Sequence, residues 1–405
     1  MHNHADSHVI PNQPKNHQRF FLAFFPLGHL AVDWGGSAVL LLASAMALAM
    51  DLSTLQVGLL LTPMGVGAGL MYAPAGLLGD RIRCRGLLLL VSFWWVTIGY
   101  LAASFAPGYW SVLILLTLAV IGAAAWHPVA TGVMVEQMAG RKALALGVHN
   151  IGGALAGVLA PLSVGFLLTH LSWQNVLQVS VLPPLLIGIF MVWWWRRIPP
   201  SRGERIGKTN LGVMWGAWRT PLGITVAGMA VACTMAFVAL EAMTPLFLLR
   251  EQAYSTALTG LVFSAMLAGG AVASPIVGRA SDVAGRRSIA VAVLAGSGLA
   301  GLVAAFASDG LLLISALVVA GTLIVSVRPV MLAAALEVAP GRETTALGLA
   351  FSIMDGIGGL GAVTAGAIGS SDLRLAIAFA AAMSLVSMVF ALALPSTLPQ
   401  RKGDE

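Results

Sequence analysis

The sequence predicts an all-α membrane protein whose twelve transmembrane helices form two six-helix bundles. Three observations lead to this fold class: the composition, the length of the apolar runs, and a repeat at half the chain length. Of the 405 residues, 58% are hydrophobic and 9% are charged, whereas a soluble globular domain has about 25% charged residues. A soluble core could not bury so many apolar side chains, so we expect the lipid bilayer to be the solvent of this chain.

Apolar runs recur along the whole sequence, and each is long enough to cross a membrane. A helix needs about 20 apolar residues to span the hydrocarbon core. Gly and Pro are frequent in the runs, as is common in membrane helices. The predicted helices cover residues 20–49, 54–78, 87–106, 110–133, 143–169, 174–196, 221–249, 256–278, 288–307, 311–335, 344–369 and 373–394.

The longest polar interruption lies between the sixth and seventh runs and contains Pro199 and Pro200. It predicts a linker that separates two bundles. The predicted regions are a tail 1–19, a bundle 20–196, a linker 197–220, a second bundle 221–394 and a tail 395–405.

The positive charges follow the predicted topology. Most of the 22 Lys and Arg residues fall in segments on the side of the linker, and only Arg250 and Arg374 fall in loops on the other side. The positive-inside rule then predicts that both termini are cytoplasmic, in a multi-pass protein of a bacterial inner membrane. The basic excess is thus a topology signal, and we do not expect nucleic acid as a partner.

The two halves repeat each other at an offset of 201 or 202 residues. Three separate places match, which is difficult to attribute to chance. The matched sets are Gly76, Asp80 and Arg85 with Gly278, Asp282 and Arg287; Glu136 and Arg141 with Glu337 and Arg342; and His127-Pro128 with Arg328-Pro329. Such repeats in transporters place the substrate near the midplane, between the two bundles.

The segment from Gly76 to Arg85 resembles the signature loop of the major facilitator superfamily, and a second copy runs from Gly278 to Arg287. The first copy departs from the pattern at Arg83, where glycine is usual, and at Cys84, where a basic residue is usual. The resemblance covers essentially the whole chain. It implies secondary active transport by alternating access.

A finer resemblance rests on the first, fourth and fifth helices. Gly28-His29 with Asp33, Trp126-His127-Pro128, and Asn150-x-Gly152-Gly153 are similar to the fosmidomycin-resistance branch of that superfamily. This branch exports a small phosphonate antibiotic and related compounds at the expense of the proton gradient. The resemblance therefore implies efflux, with protons and a small anionic or amphipathic molecule as partners. Gly153-x-x-x-Gly157-x-x-x-Pro161 partly matches the antiporter motif of drug exporters.

Ionisable groups inside a bilayer cost about 2.5–3.5 kcal/mol on insertion scales, so each requires a reason. His29 and Asp33 are four residues apart on one helix face, and we expect them to carry the coupling proton, with Glu241 as a further candidate. We expect the substrate to contact His127, Arg328 and Asp355.

Structural alternatives stay open for each of these groups. His29 and Asp33 could lock helices together, Arg328 could clamp Asp355, and Glu241 could lie near the outer face beside Arg250.

The charged residues of the loops have a different expected role. The resemblance implies that they form latches between helices on the cytoplasmic face. The latch residues are Asp80, Arg81, Arg85, Asp282, Arg286, Arg287, Glu136, Arg141, Glu337 and Arg342.

Other function classes have little support in the sequence. It contains no Walker loop, zinc-ligand spacing or nucleophile elbow, so we expect neither an enzyme nor a cofactor, and we expect the chain to act as a monomer. The alternatives are a proton symporter that imports a small organic anion, and a receptor or scaffold without transport. The intact repeat and both signature loops argue against a receptor.

Overall fold

The structure is a computed structural model that describes residues 15–138, 141–200, 216–338 and 343–395. In these ranges, twelve helical segments are long and apolar enough to cross a membrane, which confirms the predicted fold class. The α-helices are α1 (Lys15–Ala49), α2 (Thr54–Arg81), α3 (Arg85–Ser104), α4 (Tyr109–Gln137), α5 (Lys142–Leu167), α6 (Trp173–Val179), α7 (Leu182–Trp194), α8 (Pro221–Arg250), α9 (Thr256–Ala284), α10 (Arg286–Phe306), α11 (Gly310–Ser326), α12 (Arg328–Val338), α13 (Glu343–Ile357), α14 (Gly361–Ile368) and α15 (Leu373–Leu392).

Three of the twelve spans consist of two helices each: α6 with α7, α11 with α12, and α13 with α14. The break in the tenth span comes directly before Arg328-Pro329, where proline lacks the backbone donor that would continue α11. The equivalent His127-Pro128 pair lies inside α4, which continues without a break. The repeated prolines therefore have different effects in the two halves.

The helices run alternately between two sides of the bundle. We call the side where α1 begins and α7 ends the linker side, and the opposite side the distal side. The distal turn after α1 contains Asp51 in the left-handed region (φ 51°), and the turn after α8 contains Ala253 in the same region (φ 52°). Ser53 and Ser255 then cap α2 and α9 through their side chains. The sequence repeat thus extends to the backbone conformation of these turns.

The two halves contact each other closely on the distal side. Thr54 Oγ1 in α2 donates to the carbonyl of Gly366 in α14 at 2.7 Å. Gly165 in α5 lies against Gly260 in α9, so a Cβ added to Gly165 would lie 2.8 Å from the Gly260 Cα. Small residues permit such approach of membrane helices. These contacts close the space between the halves at its distal end.

Candidate functional site

A cluster of two histidines and one aspartate lies between α1 and α4 in the first half. Asp33 is shared by both histidines: its Oδ2 lies 3.1 Å from His29 Nε2, and its Oδ1 lies 3.0 Å from His127 Nε2. About a quarter of the Asp33 and His127 side chains is exposed, whereas His29 is buried. The structure thus brings together two predicted coupling residues and one predicted substrate residue.

Local sequence explains how α1 and α4 present these side chains to each other. His29 and Asp33 are one helical turn apart, so they share a face of α1. Gly28 allows the Trp126 ring of α4 to pack directly on α1, because a Cβ at that position would lie 3.1 Å from the indole. The next residue of α4, His127, then faces Asp33.

The hydrogen bonds of His29 require a cation inside the cluster. Its Nδ1 lies 2.9 Å from the carbonyl oxygen of His149, and a carbonyl can only accept, so Nδ1 carries a hydrogen. In neutral His29 the Nε2 lone pair would then face the Asp33 carboxylate at 3.1 Å, which is repulsive. A proton on either group, or another cation between them, removes the repulsion.

The fifth helix supports the cluster from the other side. Gly152 and Gly153 let α5 approach α1: a Cβ on Gly152 would lie 2.0 Å from the Pro26 carbonyl oxygen, and a Cβ on Gly153 would lie 2.6 Å from His29 Nε2. His149 is buried two turns inside α5, and its ring stacks on His29 with centroids 4.4 Å apart. Spacing alone does not connect His149 with His29, because the two residues come together only through the packing of α5 on α1.

A second charged group lies in the other half. Arg328 begins α12, and its guanidinium lies 5.8 Å from the centre of the Phe351 ring. Glu241 of α8 and Asp355 of α13 are both within electrostatic range of it. Among the described residues, however, no carboxylate forms an ion pair with Arg328, so the alternative of a clamp to Asp355 is not observed as a direct contact.

Tyr72 of α2 lies near both the His29–Asp33–His127 cluster and Arg328. Its ring centroid lies 6.2 Å from that of His127, in an edge-on arrangement. The Tyr72 hydroxyl is also within electrostatic range of Asp33, Asp355 and Arg328. The pattern of charged residues did not single out Tyr72, because an isolated tyrosine in an apolar helix gives no distinctive signal.

Glu241 does not pair with Arg250, contrary to the alternative considered from the sequence. It lies nine residues before Arg250, about 13 Å along the helix axis. The Arg250 guanidinium instead crosses to the first half, where Nη2 donates to the carbonyl of Leu52 at 2.9 Å. Arg250 therefore belongs to the distal contact between the halves.

Five of the ten predicted latch residues form ion pairs on the linker side, each within its own half: Asp80, Arg85 and Glu136 in the first half, and Arg286 and Glu337 in the second. Arg85 is buried and contacts Glu136 at 2.7 Å and Asp80 at 3.7 Å, while its Nε donates to the Gly79 carbonyl at 3.0 Å. Arg286 forms the corresponding ion pair with Glu337.

This geometry corrects the sequence alignment of the halves by one residue, because the structural equivalent of Arg85 is Arg286 and not Arg287. The first copy turns through residues 82–84, whereas the second turns at Gly285 alone, whose φ is 89°. Asp282 is within electrostatic range of Arg286. Arg81, Arg141 and Arg287 form no ion pair with the described carboxylates, and Arg342 lies outside the described residues.

The twelve apolar spans, the repeated halves and the charged side chains inside the spans are those of a multi-pass membrane transporter. Residues 25–267 and 226–405 match the profile of the Major Facilitator Superfamily. The chain belongs to this family, whose members are secondary transporters.

Two relatives cover most of this chain at less than 25% sequence identity. The chain is 24% identical to the uncharacterized MFS-type transporter YfnC of Bacillus subtilis, covering 84% of this chain and 85% of that protein. It is 22% identical to the fosmidomycin resistance protein of Escherichia coli, covering 91% of each. The fold is similar to a bacterial homologue of the human lysosomal transporter Spinster, in an inward-facing conformation, with a TM-score of 0.80 at 18% identity, over 94% of this chain and 97% of that chain.

Proposed function

We propose that the chain is a proton-coupled exporter of a small anionic or amphipathic compound. The observation that carries this proposal is the division of charge between the halves. The first half has a cluster that needs one cation for its geometry, and the second half has an arginine without an ion-pair partner among the described carboxylates.

The cluster suits the coupling role because it can hold and release a proton. In the protonated state, His29 donates to both the His149 carbonyl and Asp33. In the deprotonated state, this arrangement is repulsive, so we expect the contacts between α1, α4 and α5 to change. A change in helix contacts that depends on a proton is what coupling requires.

Arg328 suits the substrate role because its charge is permanent and its donors form a planar fork that matches phosphonate, phosphate or carboxylate. The Escherichia coli relative is named for resistance to fosmidomycin, which supports export of a small anion. The cytoplasmic position of the linker side, and hence of both termini, belongs to the same proposal.

The direction of transport is tested by drug susceptibility. We expect overexpression to raise resistance to anionic antimicrobials and deletion to lower it. Overexpression of the Asp33→Asn variant is the control for the general effect of inserting excess protein into the membrane. This variant should not raise resistance. An overexpressing strain that becomes more sensitive would instead identify a symporter that imports the compound.

Coupling is tested separately with the purified chain in proteoliposomes. Asp33→Asn should fold and bind substrate but lose uphill transport driven by a pH gradient, because an amide does not titrate. Asp51→Asn, in a distal turn, is the matched control and should transport like the wild type. Uphill transport by Asp33→Asn that still collapses with an uncoupler would transfer the coupling role to Glu241.

A further inference from the structure

The three polar side chains of the His29–Asp33–His127 cluster converge on one point. One ring nitrogen of each histidine and one carboxylate oxygen of Asp33 all lie within 4.8 Å of one another. Ligands of a tetrahedral zinc ion lie about 2.0–2.2 Å from the metal and hence about 3.4 Å from one another. Small side-chain movements would therefore bring all three groups onto one ion. We propose that this cluster binds a divalent transition-metal ion of the zinc class.

The surroundings of His29 are those of a metal ligand. The bond from Nδ1 to the His149 carbonyl fixes the tautomer and directs the Nε2 lone pair into the cluster. Ligating histidines commonly donate their other ring nitrogen to a carbonyl or carboxylate in this way. The stacked His149 ring and the glycines of α5 hold the His29 ring in this orientation.

The chemistry of the donors selects the kind of ion. Two imidazole nitrogens and one carboxylate suit Zn²⁺, Co²⁺ or Ni²⁺, whereas Mg²⁺ and Ca²⁺ prefer oxygen ligands only. Three protein ligands leave a fourth position open, on the partly exposed face of Asp33 and His127. A metal ion here would also satisfy the requirement for a cation between His29 and Asp33.

This inference goes beyond the proposed transport and does not need it, since binding is measured without transport. The metal ion would occupy the same lone pair that the proposed coupling proton uses.

The test is calorimetric titration of the full-length chain, purified without a histidine tag, with ZnCl₂. The background carries His2→Ala, His4→Ala, His8→Ala and His17→Ala, because these histidines could bind metal on their own. We expect one ion per chain. His29→Gln, Asp33→Asn and His127→Gln should each weaken binding by about 100-fold or more, since loss of even an outer-shell partner costs about 10–100-fold.

The exposed His170 on the distal side provides the matched control, and His170→Gln should leave the affinity unchanged. Visible absorption of the Co²⁺-loaded chain should show tetrahedral coordination that His127→Gln removes. Thermal unfolding and size-exclusion profiles establish that each variant is folded. The proposal is overturned if the background chain binds no Zn²⁺, or if folded His29→Gln and His127→Gln bind it as well as the background does.

Discussion

At the scale of single residues, Arg328 is unusual because it places a permanent charge inside a membrane span. Its guanidinium is exposed within a membrane span and contacts the Phe351 ring rather than a described carboxylate. A buried pair would lose about 3–5 kcal/mol when one partner is removed. Because Arg328 forms no such pair within the described ranges, its substitution should affect the ligand more than the fold.

Arg328→Gln should weaken binding of anionic substrates by about 1.5–3 kcal/mol, the usual contribution of one charged hydrogen bond. Neutral substrates should be affected less, and Arg328→Lys should also impair transport because a point charge replaces the fork. Arg279→Gln, an exposed arginine of α9, is the control. Substrate titrations and thermal unfolding measure both effects. A large drop in folded yield that Asp355→Asn restores would make Arg328 a structural partner of Asp355.

Gly153 is the second residue with a testable role. An alanine there would place its Cβ 2.6 Å from His29 Nε2, so the ring must move away from Asp33. We expect Gly153→Ala to abolish coupled transport and to cost about 1–3 kcal/mol of stability, the range for overpacked sites. Gly157→Ala, one turn along α5, meets no atom within 4 Å and should behave like the wild type. Equal transport by the two variants would remove α5 from the coupling site.

At the scale of helices, the contact of α5 with α9 and that of α2 with α14 decide which side of the bundle is closed. The contact of α5 with α9 depends on small residues, Gly165 and Gly260. The contact of α2 with the eleventh span includes hydrogen bonds donated by Thr54 and Thr62. Backbone groups therefore meet directly across the two halves. A single large side chain at such a place should prevent distal closure.

Gly165→Leu should shift the population toward the state that is open on the distal side, because its side chain cannot fit against Gly260. The measurement is maleimide labelling of Ala362→Cys, a buried distal position, in a chain with Cys84→Ser and Cys233→Ser. Labelling should rise several-fold relative to Gly157→Leu, whose position is open. Equal labelling in both would show that the glycine contact does not control closure.

Much of this arrangement could be predicted from the sequence, because membrane spans and a half-chain repeat leave direct signals. The span count and the pairing of His29 with Asp33 were both accessible from spacing. The joining of His127 to Asp33 was not, because it depends on how α1 and α4 pack around Trp126. The equivalence of Arg85 with Arg286 instead of Arg287 was not predicted either, since it follows from the tight turn at Gly285, whose φ is positive.

At the scale of the whole molecule, the orientation in the membrane connects the charges to transport. Reporter fusions after Gln400 and within residues 200–215 should report a cytoplasmic position, and fusions at Asp51 and Asp309 should report a periplasmic one. The physical reason is the excess of Lys and Arg on the linker side. A periplasmic signal from the linker would invalidate this orientation and the proposed direction of transport with it.

The permanent charge of the Arg328 guanidinium, which forms no ion pair with the described carboxylates, also has an electrical consequence. An anion bound to Arg328 neutralises its charge. The loaded binding site can then change its exposure from one side of the membrane to the other with little electrical work. In the proposed exporter, the positive charge of Arg328 would return toward the cytoplasm, which is negative at rest, together with the coupling proton. Moving one full charge through 100 mV changes the free energy by about 2.3 kcal/mol. The return of Arg328 contributes a fraction of this energy, because its charge moves through only part of the field. The resting voltage would thus favour the return step of an exporter, whereas it would oppose the empty return step of an importer with the same arginine.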